Sequence, residues 1–203
     1  MGDPSDFADN ENWHGFYYEL AIDLGLRSDV NSDERVASAL AAMWADPRLD
    51  GCYLDGGSSR SNQQRTAPVI TDTIDPSPLY GVAQLPTGGQ VVCVTHIIRE
   101  LETEGSVAHD WLDLCLTTGA LGRIDPRVND DESPAPELLE PIDSWFVEVA
   151  QRVFDSVRFR YALIGVEVSG SPFGDEVDPP TERSMGYIKV SDDGLRFYPA
   201  NRE

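Results

Sequence analysis

The chain has 203 residues, with 15 Lys and Arg against 36 Asp and Glu, and its formal net charge is −21 at pH 7. Because this charge repels phosphate, it argues against binding to nucleic-acid backbones and to anionic membrane surfaces. The 40% of hydrophobic residues keeps the chain within the composition range of globular proteins.

The amino-terminal residues 1–12 contain several acids and little apolar surface, so we expect a flexible acidic leader. This segment lacks the cationic and apolar regions of a signal peptide, and no stretch approaches the roughly 18 apolar residues of a membrane span. We therefore expect a cytoplasmic protein in which residues 13–203 form a single compact domain.

The first elements follow from the spacing of apolar residues. Apolar and polar residues alternate over residues 16–24, which predicts a half-buried strand. Asn31, with Glu34 three residues later, predicts the start of a helix that ends before Pro47. The buried stripe of that helix consists of Val36, Leu40, Met43 and Trp44. A short strand is predicted at residues 49–54.

A long loop rich in Gly, Ser and Pro is predicted for residues 55–78. After it, residues 79–85 and 90–98 flank a turn with two glycines, which predicts a hairpin. Residues 111–116 resume the alternation and predict another strand, with three leucines on one side, Leu112, Leu114 and Leu116.

A second long loop is predicted for residues 117–140, and Pro141 suits the first turn of the helix that follows it. That helix is predicted to run to about Ser156. Residues 159–168 are apolar on both faces and predict a central strand. A Pro-rich loop at 169–183 leads into a last hairpin, formed by residues 185–190 and 195–198.

These elements predict an α+β fold, mainly antiparallel sheet or sheets with two principal helices. Their order, strand, helix, strand and hairpin, occurs twice, and residues 13–98 and 109–200 are candidate pseudo-repeats. Residues 19–22 match 113–116, and residues 81–85 match 186–190. The alternative is a coincidence between generic alternating strands and glycine turns.

The sequence offers little catalytic chemistry. Three cysteines, Cys52, Cys93 and Cys115, lie in separate apolar runs and predict buried, reduced thiols rather than disulfides. The three histidines, His14, His96 and His109, lack the spacing of a metal site. A half-buried His96 with satisfied hydrogen bonds is the expected case. We assign no catalytic, cofactor-binding or metal-binding residues and expect no cofactor.

Carboxylates and aromatic residues provide weaker candidates. Asp110 and Asp113 could bind a hard cation, but they lack the pattern of a calcium loop. Trp44 and Trp145 lie on the helical stripes and are predicted core residues. Tyr17 lies on the polar side of its strand, either as part of an exposed aromatic surface or simply because tyrosine favours strands.

The acids are concentrated in residues 1–50, with 11 acids and 3 bases, and in residues 101–150, with 12 acids and 2 bases. This charge, without a catalytic motif, predicts a non-enzymatic interaction protein that binds a basic protein partner, as an inhibitor or an immunity-type neutraliser of a toxin. The alternative is a small-ligand-binding module, with a pocket between helices and sheet or between the two halves, gated by the loops at 55–78 and 117–140. An enzyme that uses carboxylates with His96 or His109 has the least support.

Overall fold

The computed structural model describes residues 2–70, 72, 75–99, 107–129, 136–170 and 179–201. The helices are α1 (Ser32–Trp44), α2 (Thr118–Ile124) and α3 (Pro136–Ser156). The strands are β1 (Tyr17–Leu26), β2 (Leu49–Tyr53), β3 (Leu79–Gln84), β4 (Gln90–Arg99), β5 (His109–Thr117), β6 (Tyr161–Val166), β7 (Gly186–Ser191) and β8 (Gly194–Tyr198).

All eight strands belong to one sheet, in the order β2-β3-β4-β5-β1-β6-β7-β8, and every neighbouring pair is antiparallel. The predicted α+β class is therefore confirmed. The central pair, β1 and β5, runs in register from Tyr17 opposite Thr117 to Asp23 opposite Trp111. Because side chains alternate between the faces of a strand, this register decides which polar residues meet at the centre of the sheet.

Helices α1 and α3 pack against one face of the sheet and enclose the main core. Trp44 and Trp145, the predicted core residues, are both buried there. Trp44 lies against two strand glycines, Gly51 and Gly81, where a Cβ atom would come within 2.6 and 2.5 Å of its ring. Because glycine has no side chain, the Trp44 indole packs directly against the backbone of the sheet at these two positions.

The opposite face, which we call the second face, holds the odd-numbered residues of β1 and β5. A smaller apolar cluster covers part of it; its buried members are Ala21, Trp111, Leu163, Val168 and Tyr187. Trp13 packs edge-to-face on Tyr80 over the β3 side of the same face, with ring centroids 5.4 Å apart. The polar centre of the second face lies between these two groups.

The amino-terminal segment differs from the expected flexible leader. Phe7 is fully buried, and its ring makes edge-to-face contacts with Trp13 and Tyr53 at 5.7 and 5.6 Å. The carbonyl of Pro4 accepts a hydrogen bond from the Val92 amide at 2.9 Å. One buried aromatic ring and one backbone hydrogen bond to β4 thus hold this acidic segment, and the packed body includes residues before 13.

The prediction of a continuous loop at 117–140 was wrong in two places. Residues 118–124 form α2, whose first turn is capped by the Thr117 hydroxyl, which accepts from the Ala120 amide. Helix α3 begins at Pro136, so Pro141 lies inside the helix rather than at its start. Residues 130–135 of this predicted loop, and residues 171–178 of the loop predicted at 169–183, lie outside the described residues.

The proposed duplication is not confirmed. In the first half, the strand that follows the helix, β2, lies at the outer edge of the sheet. In the second half, the corresponding strand, β6, lies next to β1 near the centre. Corresponding strands therefore occupy different places, although each half contributes a strand, a helix and a meander. Among the described residues, no helix combines the length and apolar character needed to cross a membrane.

Candidate functional site

Internal ion pairs use many of the arginines, and the strongest cluster fixes α1 to the sheet. Asp110 is fully buried on the helix-facing side of β5 and accepts hydrogen bonds from Arg99 Nε at 3.0 Å and Ser32 Oγ at 2.5 Å. Arg99 also donates to Asp33 at 2.5 Å. This cluster joins β4 and β5 to the first turn of α1.

Two more buried carboxylates have arginine partners. Asp46 accepts from Arg152 Nη1 at 2.7 Å and from the Trp145 indole at 3.3 Å, which ties the end of α1 to α3. Asp23, on the second face, accepts from Arg160 Nη1 at 2.9 Å and lies 2.9 Å from His109 Nδ1. His109, which the sequence left as a weak candidate, is thus part of an ion-pair group at one end of β1.

Two other buried carboxyls, Glu19 and Asp113, have no such partner. They are 2% and 1% exposed, and neither has an Arg or Lys nitrogen within ion-pair distance in the described part of the chain. Buried carboxylates are normally paired with a cation. Glu19 and Asp113 are therefore unusual, because they are buried without a cation nearby in the described part of the chain.

The two carboxyls belong to what we call the carboxyl cluster, which consists of Tyr17, Glu19, His96, Asp113 and Cys115. All five lie on adjacent strands of the second face. Glu19 is opposite Cys115, and His96 is opposite Asp113. The rings of Tyr17 and His96 are 5.6 Å apart.

Hydrogen bonds satisfy the carboxyl cluster only in part. Glu19 accepts from the Ser169 amide at 2.8 Å and from the Cys115 thiol at 3.4 Å. In contrast, Asp113 Oδ1 and His96 Nε2 are buried without a hydrogen-bond partner in the part of the chain that the structure describes. The expected satisfied histidine at position 96 is therefore not what the structure shows.

Burial shifts the pKa values of three groups in the carboxyl cluster. Burial, with the charge of Glu19 nearby, raises the pKa of Asp113 well above its ordinary value, although a hydrogen bond from Ser169 opposes this. Burial and the two carboxyls also raise the pKa of the Cys115 thiol. Burial lowers the pKa of His96. The site thus favours the neutral form of each of these three groups.

These pKa directions bear on the cysteines and histidines that the sequence singled out. Cys52, Cys93 and Cys115 are free and buried, which confirms the prediction of reduced thiols. Since the reactive form of cysteine is the thiolate, a raised pKa makes Cys115 a poor nucleophile. His14 is exposed near Glu11 and lies apart from His96 and His109.

The outer surface of α3 carries a row of six polar residues, four of them acids, that we call the α3 ridge. Its members lie at helical spacing along the solvent side, and they are Glu137, Glu140, Ser144, Glu148, Gln151 and Asp155. Among the described residues, only Glu137 of these acids has an arginine within 4 Å, Arg127 at 3.1 Å. Arg152, on the same helix, turns inward to Asp46. Apart from Glu137, the acids of the ridge therefore have no arginine within ion-pair distance in the described part of the chain.

Asp143, a half-buried acid beside the ridge, is expected to make the free energy of unfolding depend on pH. Burial raises the pKa of Asp143 to about 6, although the hydrogen bond from the Tyr18 hydroxyl lowers it. Because the folded pKa exceeds the ordinary value of 3.8, stability is lost as the pH rises from about 4 to about 6. We expect Asp143→Asn to remove this part of the pH dependence and to raise the free energy of unfolding at pH 7 by about 1–2 kcal/mol.

Urea unfolding between pH 4 and pH 8 measures this effect, with Glu148→Gln as the control at an exposed position of the same helix. Equal slopes of stability against pH in wild type and Asp143→Asn would show that Asp143 ionises normally.

Two surface clefts are polar and shallow. One, of about 350 Å3, is lined by residues that include His14, Gly119 and Arg123. The other, of about 520 Å3, is lined by residues that include Asp3, Tyr53 and Arg60. Neither lies between the α1–α3 layer and the sheet, one of the two places predicted for the alternative ligand pocket. The first cleft is lined by residues of both halves, and a position between the halves was the other predicted place. The described residues also contain no group of three His, Cys, Asp or Glu side chains arranged to hold a metal ion.

Comparison with protein-family models, with curated proteins and with solved structures finds no match for this chain. The functional conclusions below therefore depend on the residues themselves. The sequence indicated the alternation that puts Asp113 and Cys115 opposite the three leucines of β5. It contained no signal that β1 would lie between β5 and β6, which is what brings Glu19 to the same place.

Proposed function

We propose that the protein is a non-enzymatic binding protein whose acidic surface engages a basic protein partner. The observation that carries the proposal is the α3 ridge, an exposed row of four acids that holds no lysine or arginine. Complementary charge across an interface accelerates encounter and selects partners of the right sign. A net charge of −21 extends that selection over the whole surface.

The direction of the arginines supports the same function. Arg99, Arg152 and Arg160 are turned toward buried carboxylates, where they stabilise the fold. Their positive charge is therefore not available at the ridge. Three arginines are thus directed into the fold, and the exposed acids of the ridge keep their negative charge, as expected of a surface that binds cations.

The role that fits this surface is inhibition of a basic protein by occlusion of its cationic site. Such an inhibitor needs no catalytic residue and no cofactor, and its buried thiols suit the reducing cytoplasm. We propose the cytoplasm as its location and a toxin-neutralising or inhibitory role as its activity.

The test compares two variants with the same net charge in capture from a lysate of the protein's own cells at low salt. The ridge variant carries Glu140→Gln, Glu148→Gln and Asp155→Asn. The control variant carries Asp6→Asn, Asp55→Asn and Asp75→Asn, at exposed acids away from α3.

We expect wild type and control to retain one basic polypeptide in a defined stoichiometry, and the ridge variant to lose it. We expect the complex to weaken at high salt because exposed charges are screened. An empty capture at low salt, or equal loss by both variants, would contradict the proposal.

A further inference from the structure

The five carboxyl side chains buried in the described part of the chain fall into two groups. Asp23, Asp46 and Asp110 each have an arginine nitrogen within 3.0 Å. Glu19 and Asp113, on neighbouring strands at the centre of the sheet, have no such nitrogen nearby among the residues that the structure describes. Within the described residues, arginine thus pairs with three buried carboxylates and not with the other two.

The unpaired carboxyls leave hydrogen-bonding capacity that a ligand would use. Asp113 is 1% exposed, and among the described residues neither its Oδ1 atom nor the buried Nε2 atom of His96 on the next strand has a hydrogen-bond partner. Buried polar atoms in native proteins are almost always satisfied, so an exception requires an explanation such as a bound water, ion or ligand. A carboxylate oxygen accepts hydrogen bonds, and a neutral imidazole has one accepting nitrogen. A ligand with N–H donors would therefore supply what an ionised Asp113 and the accepting nitrogen of His96 lack, and a positively charged donor also offsets the charge of the carboxylates.

Aromatic rings lie on the same face of the sheet as the two carboxyls. Tyr17 lies beside His96 on one side. Trp111 lies two residues before Asp113 on the same face of β5, in edge-to-face contact with Tyr161 at 5.8 Å. Faces of aromatic rings attract organic cations, and tryptophan does so most strongly. Carboxylates on the same sheet face as aromatic rings suit an ammonium or guanidinium group better than a bare metal ion.

We propose that the carboxyl cluster is a binding site for an organic cation, held through an ammonium or guanidinium group between Glu19 and Asp113. The nitrogen of the ligand takes the place that an arginine takes beside Asp23, Asp46 and Asp110. Its N–H groups donate to Asp113 Oδ1 and to Glu19. Charge-assisted hydrogen bonds of this kind are shorter and stronger than neutral ones.

The turn after β6 covers this site. The Ser169 amide of this turn donates a hydrogen bond to Glu19 Oε1 at 2.8 Å. Val168 of the same turn packs in the apolar cluster of the second face. Gly170 in the same turn has a φ of +67°, and Glu167 has a φ of +47°. A left-handed conformation is costly for a residue other than glycine, so the turn is held by its contacts with the sheet. The cation binds with displacement of Ser169 from Glu19.

The cation has two possible sources, a free small amine or a lysine or arginine side chain of the basic partner. The second source rests on the proposed function, whereas the first does not. Agmatine serves as the probe for both, because it carries a guanidinium and an ammonium group on one short chain.

Calorimetric titration with agmatine tests the site. We expect saturable binding with one molecule per chain, a change in the Ser169 amide resonance, and affinity at least tenfold lower in Glu19→Gln/Asp113→Asn. The control Asp6→Asn/Asp75→Asn has the same net charge and should bind agmatine like wild type. Absence of saturable binding at millimolar agmatine, or equal weakening in the control, would overturn the proposal.

Competition identifies the source of the cation. If agmatine releases the captured basic partner from wild type, the partner inserts a cationic side chain into the cluster. If agmatine binds and the partner stays bound, the ligand is a free amine, and both proposals stand. If agmatine fails to bind while the partner remains captured through the α3 ridge, the cation site is disproved and the proposed function is not.

Discussion

Replacing Asp110 by asparagine is expected to lower the free energy of unfolding by about 3 kcal/mol, since breaking a buried ion pair leaves an uncompensated charge. Asp110 is fully buried, and the Arg99 side chain that it pairs with is 4% exposed. The pair also holds Ser32, at the first position of α1. Loss of the charge thus leaves a guanidinium buried and loosens the attachment of α1 to the sheet.

Equilibrium unfolding in urea at pH 7 measures the change, and Asp29→Asn is a suitable control. Asp29 pairs with Arg35 at 2.7 Å, but its side chain is 44% exposed. Exposed pairs contribute only about 0–1 kcal/mol. A loss for Asp110→Asn no larger than for Asp29→Asn would show that the buried cluster does not stabilise the fold.

The same substitution three residues later on β5 is expected to have the opposite sign. Asp113→Asn combined with Glu19→Gln should raise the free energy of unfolding at pH 7 by about 1–3 kcal/mol, because the two carboxyls are buried without a cation. The amide groups keep the shape of the carboxyls without their charge, and Asp113→Asn adds an N–H donor on the strand beside the unsatisfied His96 Nε2 atom. The double variant should therefore be more stable and unable to bind agmatine.

The pH dependence of the free energy of unfolding provides an independent check on the burial of Glu19 and Asp113. Since the folded pKa of Asp113 lies well above its ordinary value, the folded state retains a proton that the unfolded state releases. Wild-type stability therefore falls as the pH rises above the ordinary value of 3.8, and the double variant should show a flatter curve. A double variant less stable than wild type at neutral pH would mean that the carboxyls are structural, not a site kept at a cost in stability.

Much of the secondary structure was predictable because local apolar spacing determines it. The alternation in β1 and the stripe of α1 indicated both elements to within a few residues of Tyr17–Leu26 and Ser32–Trp44. Helix α2 was missed because Gly119 and Gly122 lie within its seven residues, and glycine disfavours helices. Its Thr117 cap was the signal that could have revealed it.

The sheet order could not be predicted in the same way, because strand pairing over long separations leaves little local trace. The pairing of Glu19 with Cys115 joins residues 96 positions apart. Sequence reasoning placed Asp113 and Glu19 on the polar sides of their strands and treated those sides as solvated. The structure instead buries both on the second face, since the turn at Ser169 and the neighbouring apolar cluster cover them. The position of Phe7 shows the same limit, as a single apolar residue in an acidic segment gives no periodic signal.

The α3 ridge is expected to recognise a basic partner through the placement of its acids and not through bulk charge alone. The decisive measurement is the affinity of the captured partner for wild type, the ridge variant and the charge-matched control, across a series of salt concentrations. We expect wild type and control to bind alike and to weaken together as salt rises, and the ridge variant to bind at least tenfold more weakly at low salt with a shallower salt dependence. Equal affinities of the ridge variant and the control at every salt concentration would contradict the account.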